Sequence, residues 1–260
     1  PVWNEKPCVA IVGTRKPTPY GVQQAERFAS ELSAKGIHIV SGLAYGIDAD
    51  AHTAALNQPG GTTAVLGSGL GKIYPAKHYN LSEKIVLQNG AVISEFLYDE
   101  EPEATNFPAR NRIVAGMCIA TIVIEAAASG GALITAKMAF DENREVYAIP
   151  GNLTSNTSDG CNRLIRDNVA KLITHPDELL SDLESVLDGF LNQNTTFSQP
   201  QVILSETETR ILSHLETGER LLDQLAELTG ISMSVLMSEL LSLEFKGLIK
   251  QLPGRKFIRI

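Results

Sequence analysis

The sequence predicts an α/β fold, a doubly wound parallel sheet followed by a small domain of three helices and a hairpin. Two observations carry this. Short β-branched runs of the kind that fill strands buried on both faces recur from Val9 to Thr174, separated by stretches with helical spacing. Beyond Pro200 the apolar residues take helical spacing in three stretches and then become strand-like.

Val9 to Val12 is the first strand; it breaks at Gly13-Thr14-Arg15, and Tyr20-Gly21 leads into a helix through Leu32. Ile37 to Val40 is the second, ending in Ser41-Gly42-Leu43-Ala44-Tyr45-Gly46-Ile47-Asp48, and an Ala-rich helix runs on through Leu56. Thr62 to Leu66 ends in Gly67-Ser68-Gly69; Ala91 to Ser94, Ile119 to Ile124, Glu145 to Ile149 and Lys171 to Thr174 complete the strands. His175-Pro176 opens a short helix to Leu187. Loops leaving the carboxyl ends of parallel strands gather on one edge, so Gly13, Gly42, Gly67 and Gly130 are expected to line one ligand site. Residues 1–190 make up this domain. Residues 191–200, polar and without apolar period, form the linker, and 201–260 the second domain. There Glu206–Leu215, Leu221–Thr229 and Ser232–Lys246 are helices, Gly247 stops the third, and Leu248–Leu252 with Phe257–Ile260 form a hairpin, giving a winged helix.

The 260 residues carry a formal charge of −8 and a pI near 5.2, so any polyanion site must be local. Cys8, Cys118 and Cys161 are too few and too scattered for a disulfide framework or a zinc site, which fits a reducing cytoplasm. No apolar run approaches the length of a membrane span. The opening Pro1, without an initiator Met, is read as the start of an excised segment with something N-terminal missing.

The stretch from Phe107 to Lys137 concentrates the chemistry. Phe107-Pro108-Ala109 reads as a loop, and Arg110-Asn111-Arg112 places two fixed charges at the expected start of a helix, a position that attracts anions. After the strand closed by Glu125, Ala128-Ser129-Gly130-Gly131 brings bare backbone to the next helix, with Lys137 on its second turn. Four basic residues, Arg15, Arg110, Arg112 and Lys137, thus fall on one predicted edge beside loop amides, the makings of a phosphate cradle. Glu95 and Glu125 end buried strands and are expected to receive backbone or Arg hydrogen bonds.

Alternative chemistries fail on spacing. Gly67-Ser68-Gly69-Leu70-Gly71-Lys72 lacks both the dinucleotide spacing and the hydroxyl that must follow the lysine of a phosphate loop. On a helix Asp50 points away from the face shared by Asp48 and His52, which argues against a metal cluster. Ser41 and Ser129 have no base at motif spacing. Pro59-Gly60-Gly61 resembles a motif of nucleoside-monophosphate phosphoribohydrolases but precedes a strand instead of following one. The phosphoribohydrolase reading, kept as the enzyme alternative, also needs a carboxylate where Ala136 and Lys137 stand. No cofactor is expected.

Eight segments stand in order between Val9 and about Leu183: GTRKPTPYG, SGLAYGIDADAH, IYP, ISE, FPARNRI, EAAASGGALITA, IPG and GCNRLI. In these the chain resembles the DprA (Smf) family of DNA-processing proteins, many of which carry a winged-helix tail. The resemblance implies an extended Rossmann-like domain with a small C-terminal winged-helix domain. It also implies a bacterial cytoplasmic, non-enzymatic protein that binds and protects single-stranded DNA as a homodimer and loads RecA in natural transformation and recombination. Gly13-Thr14-Arg15 stands at the family's Gly-Ser-Arg, where Arg holds the DNA backbone. With the loops and charges read above, the candidate binding residues are Gly13, Thr14, Arg15, Ser41, Gly42, Arg110, Asn111, Arg112, Ser129, Gly130 and Lys137, and Tyr20, Tyr45 and Phe107 are candidates for base stacking by their place in the loops alone. Asp167-Asn168-Val169 departs from the Gly-Ala that commonly follows the last motif, and the helical N-terminal domain of many members is not in this sequence. The tail is an expected accessory: residues 201–260 hold seven basic and eight acidic side chains, and only the wing, with Lys250, Arg255, Lys256 and Arg259, is basic.

Overall fold

The computed structural model describes residues 6–187, 204–215, 218–246, 248–252 and 254–259; the linker expected at 191–200 lies outside them. The chain divides into two compact units, residues 1–195 and 196–260.

In the first unit the strands are β1 (Cys8–Gly13), β2 (His38–Ser41), β3 (Thr62–Val65), β4 (Ala91–Ile93), β5 (Ala120–Ile124), β6 (Glu145–Ala148) and β7 (Lys171–Leu172). Their order is β4-β3-β2-β1-β5-β6-β7, with every pairing parallel. Every strand expected from the sequence is present. The connection order reverses between β1 and β5, and the crevice outside the carboxyl ends at such a reversal is where open α/β sheets take ligands.

The helices are α1 (Pro19–Ala34), α2 (Ile47–Ala55), α3 (Tyr79–Leu87), α4 (Asn106–Met117), α5 (Gly131–Asp141), α6 (Asp159–Arg166) and α7 (Pro176–Asp182). Successive strand side chains point to opposite faces, so an unbroken apolar run feeds two cores at once. Val9, Ile11, Ile39, Ile122 and Ile124 share one core with Phe28 and Leu32 of α1, Ile47 of α2 and Leu179 of α7. Ala10, Val12, Val40, Val65 and Val123 share the other with Val114 of α4, Ala136 of α5 and Cys161 of α6.

Proline placement sets two helix starts. Thr18 caps α1, its Oγ1 accepting from Gly21 N at 3.3 Å, and Pro19 follows in the first turn. Pro108 likewise falls in the first turn of α4, where a missing N–H costs nothing, so Phe107-Pro108-Ala109 is helix and not the expected loop. Arg110 therefore sits one turn into α4 and not at its amino end, which corrects the sequence expectation.

The second unit runs α8 (Glu206–Leu215), β8 (Arg220–Leu221), α9 (Leu222–Thr229), α10 (Met233–Phe245), β9 (Ile249–Leu252) and β10 (Lys256–Arg259). The hairpin β9–β10 is extended to three antiparallel strands by β8, which at two residues leaves no periodicity to read in the sequence. Ser205 and Glu208 open α8 reciprocally: Glu208 N donates to Ser205 Oγ at 3.0 Å and Ser205 N to Glu208 Oε2 at 2.8 Å. Ile211, Leu215, Leu225, Leu236, Leu240, Leu243 and Phe257 fill its core.

One buried histidine gives the first unit an acid-sensitive element. His52 on α2 is fully buried; its Nδ1 lies 2.6 Å from Thr62 Oγ1, which itself donates to Ile39 O. Thr62 must therefore accept from Nδ1–H, leaving Nε2 without a protein partner to receive from a second proton. Burial accordingly pulls the imidazole down to about 3. A lowered folded value means the unfolded chain binds the proton first, so this contribution is complete above about 6.5 and is lost as pH falls toward about 3. In urea unfolding, stability is expected to fall by up to roughly 1.4 kcal/mol per pH unit more in wild type than in His52→Gln across that window; equal slopes would rule out a buried neutral histidine.

Candidate functional site

The carboxyl edge of the sheet opens into a groove of about 1360 Å³ at the β1/β5 reversal. Its floor is the Gly13-Thr14-Arg15 loop and Gly42; one wall is α4 with Phe107, Arg110 and Asn111; the other is the Ala126–Gly131 loop with α5 and α6. Of the residues singled out in the sequence, Gly13, Thr14, Arg15, Gly42, Arg110, Asn111, Ser129, Gly130 and Lys137 line it. Ser41 and Arg112 are not among its lining residues.

Position on the groove does not mean availability to a ligand. Arg110 is only 4% exposed and its Nη1 donates to the carbonyls of Gly42, at 2.7 Å, and of Val65. Its Nε donates to Asn111 Oδ1 at 3.2 Å, and Asn111 Nδ2 donates in turn to Gly131 O at 3.3 Å. Burial draws the guanidinium down to about 10, opposed by the charge of Asp48, so it stays protonated at neutral pH. Asp48, whose carboxyl is pushed up by burial and drawn back by Arg110, accepts from Gly42 N at 3.1 Å and Ala44 N at 3.3 Å. Arg110 is thus a pin between α4 and the ends of β2 and β3, where the sequence suggested a basic wall. Ser41 is buried and donates to Ile11 O at 2.6 Å. Arg112 is exposed and paired with Glu95.

The glycines divide in the same way. A Cβ on Gly13 would lie 2.0 Å from Ile124 O, and on Gly42 2.5 Å from Arg110 Nη2, so both are required by neighbouring chain. A Cβ on Gly130 would meet nothing within 4 Å. Gly130 is the cap of α5, a helix with no side-chain cap at its amino end, and the positive end of its dipole faces the groove.

Arg15 is exposed, and its guanidinium carbon stands 5.7 Å from the Phe107 ring centroid. Phe107 packs on Tyr74 with centroids 5.4 Å apart, and a niche beside them is lined by Arg15, Tyr45, Tyr74, Pro75 and Phe107 among others. The Arg15 loop is held by Thr14 N donating to Glu125 O at 2.7 Å. Glu125 has φ +48°, and its buried carboxylate fixes that geometry by accepting from Thr18 N at 2.8 Å, Thr18 Oγ1 at 2.5 Å and Thr157 Oγ1 at 3.3 Å. The expectation that Glu95 and Glu125 receive hydrogen bonds therefore holds. Tyr20 instead donates to Pro150 O at 2.9 Å and does not line the groove. Lys137 is three-quarters exposed and 3.5 Å from Asp141 one turn on.

Sequence reasoning passed over Tyr74 and Arg163. Arg163 lines the groove and its Nη2 donates to Ala128 O at 2.8 Å, bracing the loop ahead of α5. Its position inside GCNRLI was visible, but the helix-to-loop contact was not. In the departing Asp167-Asn168-Val169 run, Asn168 takes φ +54°, the left-handed region that asparagine tolerates.

The chain's first 184 residues match the profile of the DNA recombination-mediator protein A family, and residues 195–255 match the DprA winged helix domain. The chain belongs to the DNA recombination-mediator protein A family. Within the family it is 37% identical to Protein Smf of Synechocystis over 97% of this chain and 70% of that protein. The crystal structure of DNA processing protein A from Streptococcus pneumoniae aligns with a TM-score of 0.64 at 42% identity, covering 69% of this chain and 62% of that one. DNA processing protein A from Helicobacter pylori aligns with a TM-score of 0.65 at 33% identity, covering 72% of this chain and 84% of that one. Family membership agrees with the extended sheet and the winged-helix tail.

Arg110→Ala is expected to lose about 3 to 5 kcal/mol of stability in urea unfolding, because it strips two carbonyls and leaves Asp48 buried without a counter-charge. Arg112→Ala, removing an exposed pair, is expected to lose about 1 kcal/mol or less. Equal, small losses in both would overturn the assignment of Arg110 as a pin.

Proposed function

We propose that this chain binds single-stranded DNA in the β1/β5 groove and acts as a DNA-processing protein without turnover of its own. The carrying observation is that the groove joins an exposed Arg on an aromatic pair, an uncapped helix start and Lys137 within about 1360 Å³. That is more room than a typical small-ligand pocket of about 300 to 1,000 Å³. Further support comes from the Helicobacter pylori relative, whose structure concerns its single-stranded DNA binding mode.

In this reading Arg15, Thr14, Ser129, the amides at Gly130 and Lys137 meet the phosphates, while Phe107 and Tyr74 offer faces to bases. Gly13, Ser41, Gly42, Arg110 and Asn111 shape and hold the walls, and Arg112 acts from outside through Glu95. The Glu125 carboxylate is committed to Thr18 and Thr157, which leaves it poorly placed as a general base. Homodimer formation, loading of RecA on the strand during natural transformation and recombination, and residence in the bacterial cytoplasm complete the proposal, supported by family membership. Among the described residues no single helix is long and apolar enough to cross a membrane.

The winged helix is accessory in this reading. Lys246, the basic residue at the end of α10, holds buried Glu208 at 2.6 and 2.7 Å, while the outward positions of α10 include Met233, Ser234, Met237, Ser238 and Leu241. A helix so furnished has little to offer phosphates or base edges.

Titration of a fluorescent oligonucleotide tests the site. Arg15→Ala and Lys137→Ala are each expected to cost about 1 to 3 kcal/mol and to lower the salt slope by about one; wild-type affinity in both variants would sink the assignment. Truncation after Gln199 is expected to leave single-strand affinity within a few-fold of the full chain, about 1 kcal/mol or less. Tight duplex binding by the isolated tail would instead make it a DNA reader.

A further inference from the structure

The groove has a third border, formed by the chain between β4 and α4, and its charge has the same sign as that of the ligand proposed above. Asp99, Glu100, Glu101 and Glu103 follow one another around Pro102, and Pro102 and Ala104 line the groove. Asp99, Glu101 and Glu103 are exposed. Lys72 offsets one of these charges, its Nζ 2.6 Å from Glu101 Oε1.

This border is built in place. Gly69 N donates to Glu100 O at 2.9 Å and Gly71 N to Tyr98 O at 2.8 Å, so two glycine amides tie the segment to the loop after β3. The approach is close enough that a Cβ on Gly69 would lie 2.0 Å from Leu97 O. At its far end Asn106 N donates to Glu103 O at 3.0 Å, where α4 begins. The Gly67–Gly71 run, whose spacing fails both nucleotide-loop patterns, is thus the seat on which the acidic segment rests.

The sheet order puts the two kinds of border on opposite sides of the crevice. The acidic segment comes from the β4 and β3 side, while Lys137 and Arg163 come from helices that follow β5 and β6. Arg15 lies on the floor at the reversal between them. A single strand has one line of phosphates, which the Arg15, Lys137 and Arg163 side attracts, and its neutral bases are then directed toward Tyr74, Phe107, Pro102 and Ala104. A duplex carries a second line of phosphates beyond the bases, on the order of 12 Å away across the major groove. That second line falls toward the segment of Pro102 and Ala104, whose exposed neighbours Asp99, Glu101 and Glu103 oppose it with like charge.

We infer that the Asp99–Glu103 border is a specificity element that rejects duplex DNA and sets which side of the groove the phosphates take. The inference rests on the single-strand reading above and adds a repulsive term to it, the usual second half of discrimination between related ligands. Repulsion of this kind is a screened surface effect, strong where the screening length is about 10 Å and weak where it is about 3 Å.

The test compares a fluorescent 20-mer of thymidine with a blunt 20-base-pair duplex, at about 0.1 M and about 1 M salt. Proteins are wild type, Asp99→Asn/Glu101→Gln/Glu103→Gln, the single reversal Glu103→Lys, and a matched control at exposed sites elsewhere, Glu26→Gln/Glu142→Gln/Glu184→Gln. At low salt the border variants are expected to gain tenfold or more for duplex and less than threefold for the single strand, with the gain fading at high salt. The control is expected to change both affinities by less than threefold. An unchanged ratio of single-strand to duplex affinity in both border variants, or an equal gain in the control, overturns the inference while leaving the single-strand site standing. If wild type has no preference for the single strand, the functional reading falls and the inference with it.

Discussion

Arg110 is a fixed charge held almost out of reach of water, and the chemistry of the crevice depends on how that charge is satisfied. Its guanidinium takes the carbonyls of Gly42 and Val65 on one side, and through Asn111 it is linked to Gly131 at the start of α5 on the other. At the reversal itself the ends of β1 and β5 are joined by Thr14 N donating to Glu125 O. The Arg110–Asn111 pair adds a link from the ends of β2 and β3 to the start of α5. Removing a charge from water is costly unless every donor is used, and here the compensation comes from backbone carbonyls left bare at strand ends. The same groups that would otherwise be unsatisfied thereby become the anchor for α4, and with it Phe107 and the aromatic face beneath Arg15.

The strands, their parallel order and the edge that gathers the functional loops were legible in the sequence because burial on both faces demands consecutive β-branched residues, a pattern with few other causes. Helix starts were less so. Pro108 reads as a breaker unless its place in the first turn is known, and that one ambiguity moved Arg110 from the middle of a helix to its end. Residue type alone also fails to separate an arginine that waits for an anion from one that is already bonded to carbonyls. Glycines pose the same problem: Gly42 is required by Arg110 and Gly69 by Leu97, while Gly130 faces open space, though all three stand in similar loops. What decides between them is contact at long sequence separation. Arg163 was missed for that reason, since its carbonyl partner lies in a loop contributed by another strand.

Charge organises the two units differently. In the winged helix, Glu208 is 2% exposed and receives Lys246, Ser242 and Ser205 N, so a capping residue of the first helix also fixes the end of the third. The Lys246 cation is thereby spent on internal order. In the sheet domain, the exposed Arg15 stacks on an aromatic ring while its neighbours in the groove are paired or buried, which concentrates what remains available at one place on the floor.

A chain with formal charge −8 meets a polyanion with its long-range field set against it, and only short-range groups can reverse the sign. Non-specific attraction to duplex, which in basic proteins competes with any specific mode, is then weak from the outset. On the single-strand reading proposed above, what the groove needs is enough local charge to hold one backbone and no more, because each added exposed cation would help a second backbone as readily as the first. In that reading, burying Arg110, pairing Arg112 with Glu95 and carrying Asp99 to Glu103 beside the groove would all act in that direction, so that selectivity would come as much from the charges withheld as from those presented.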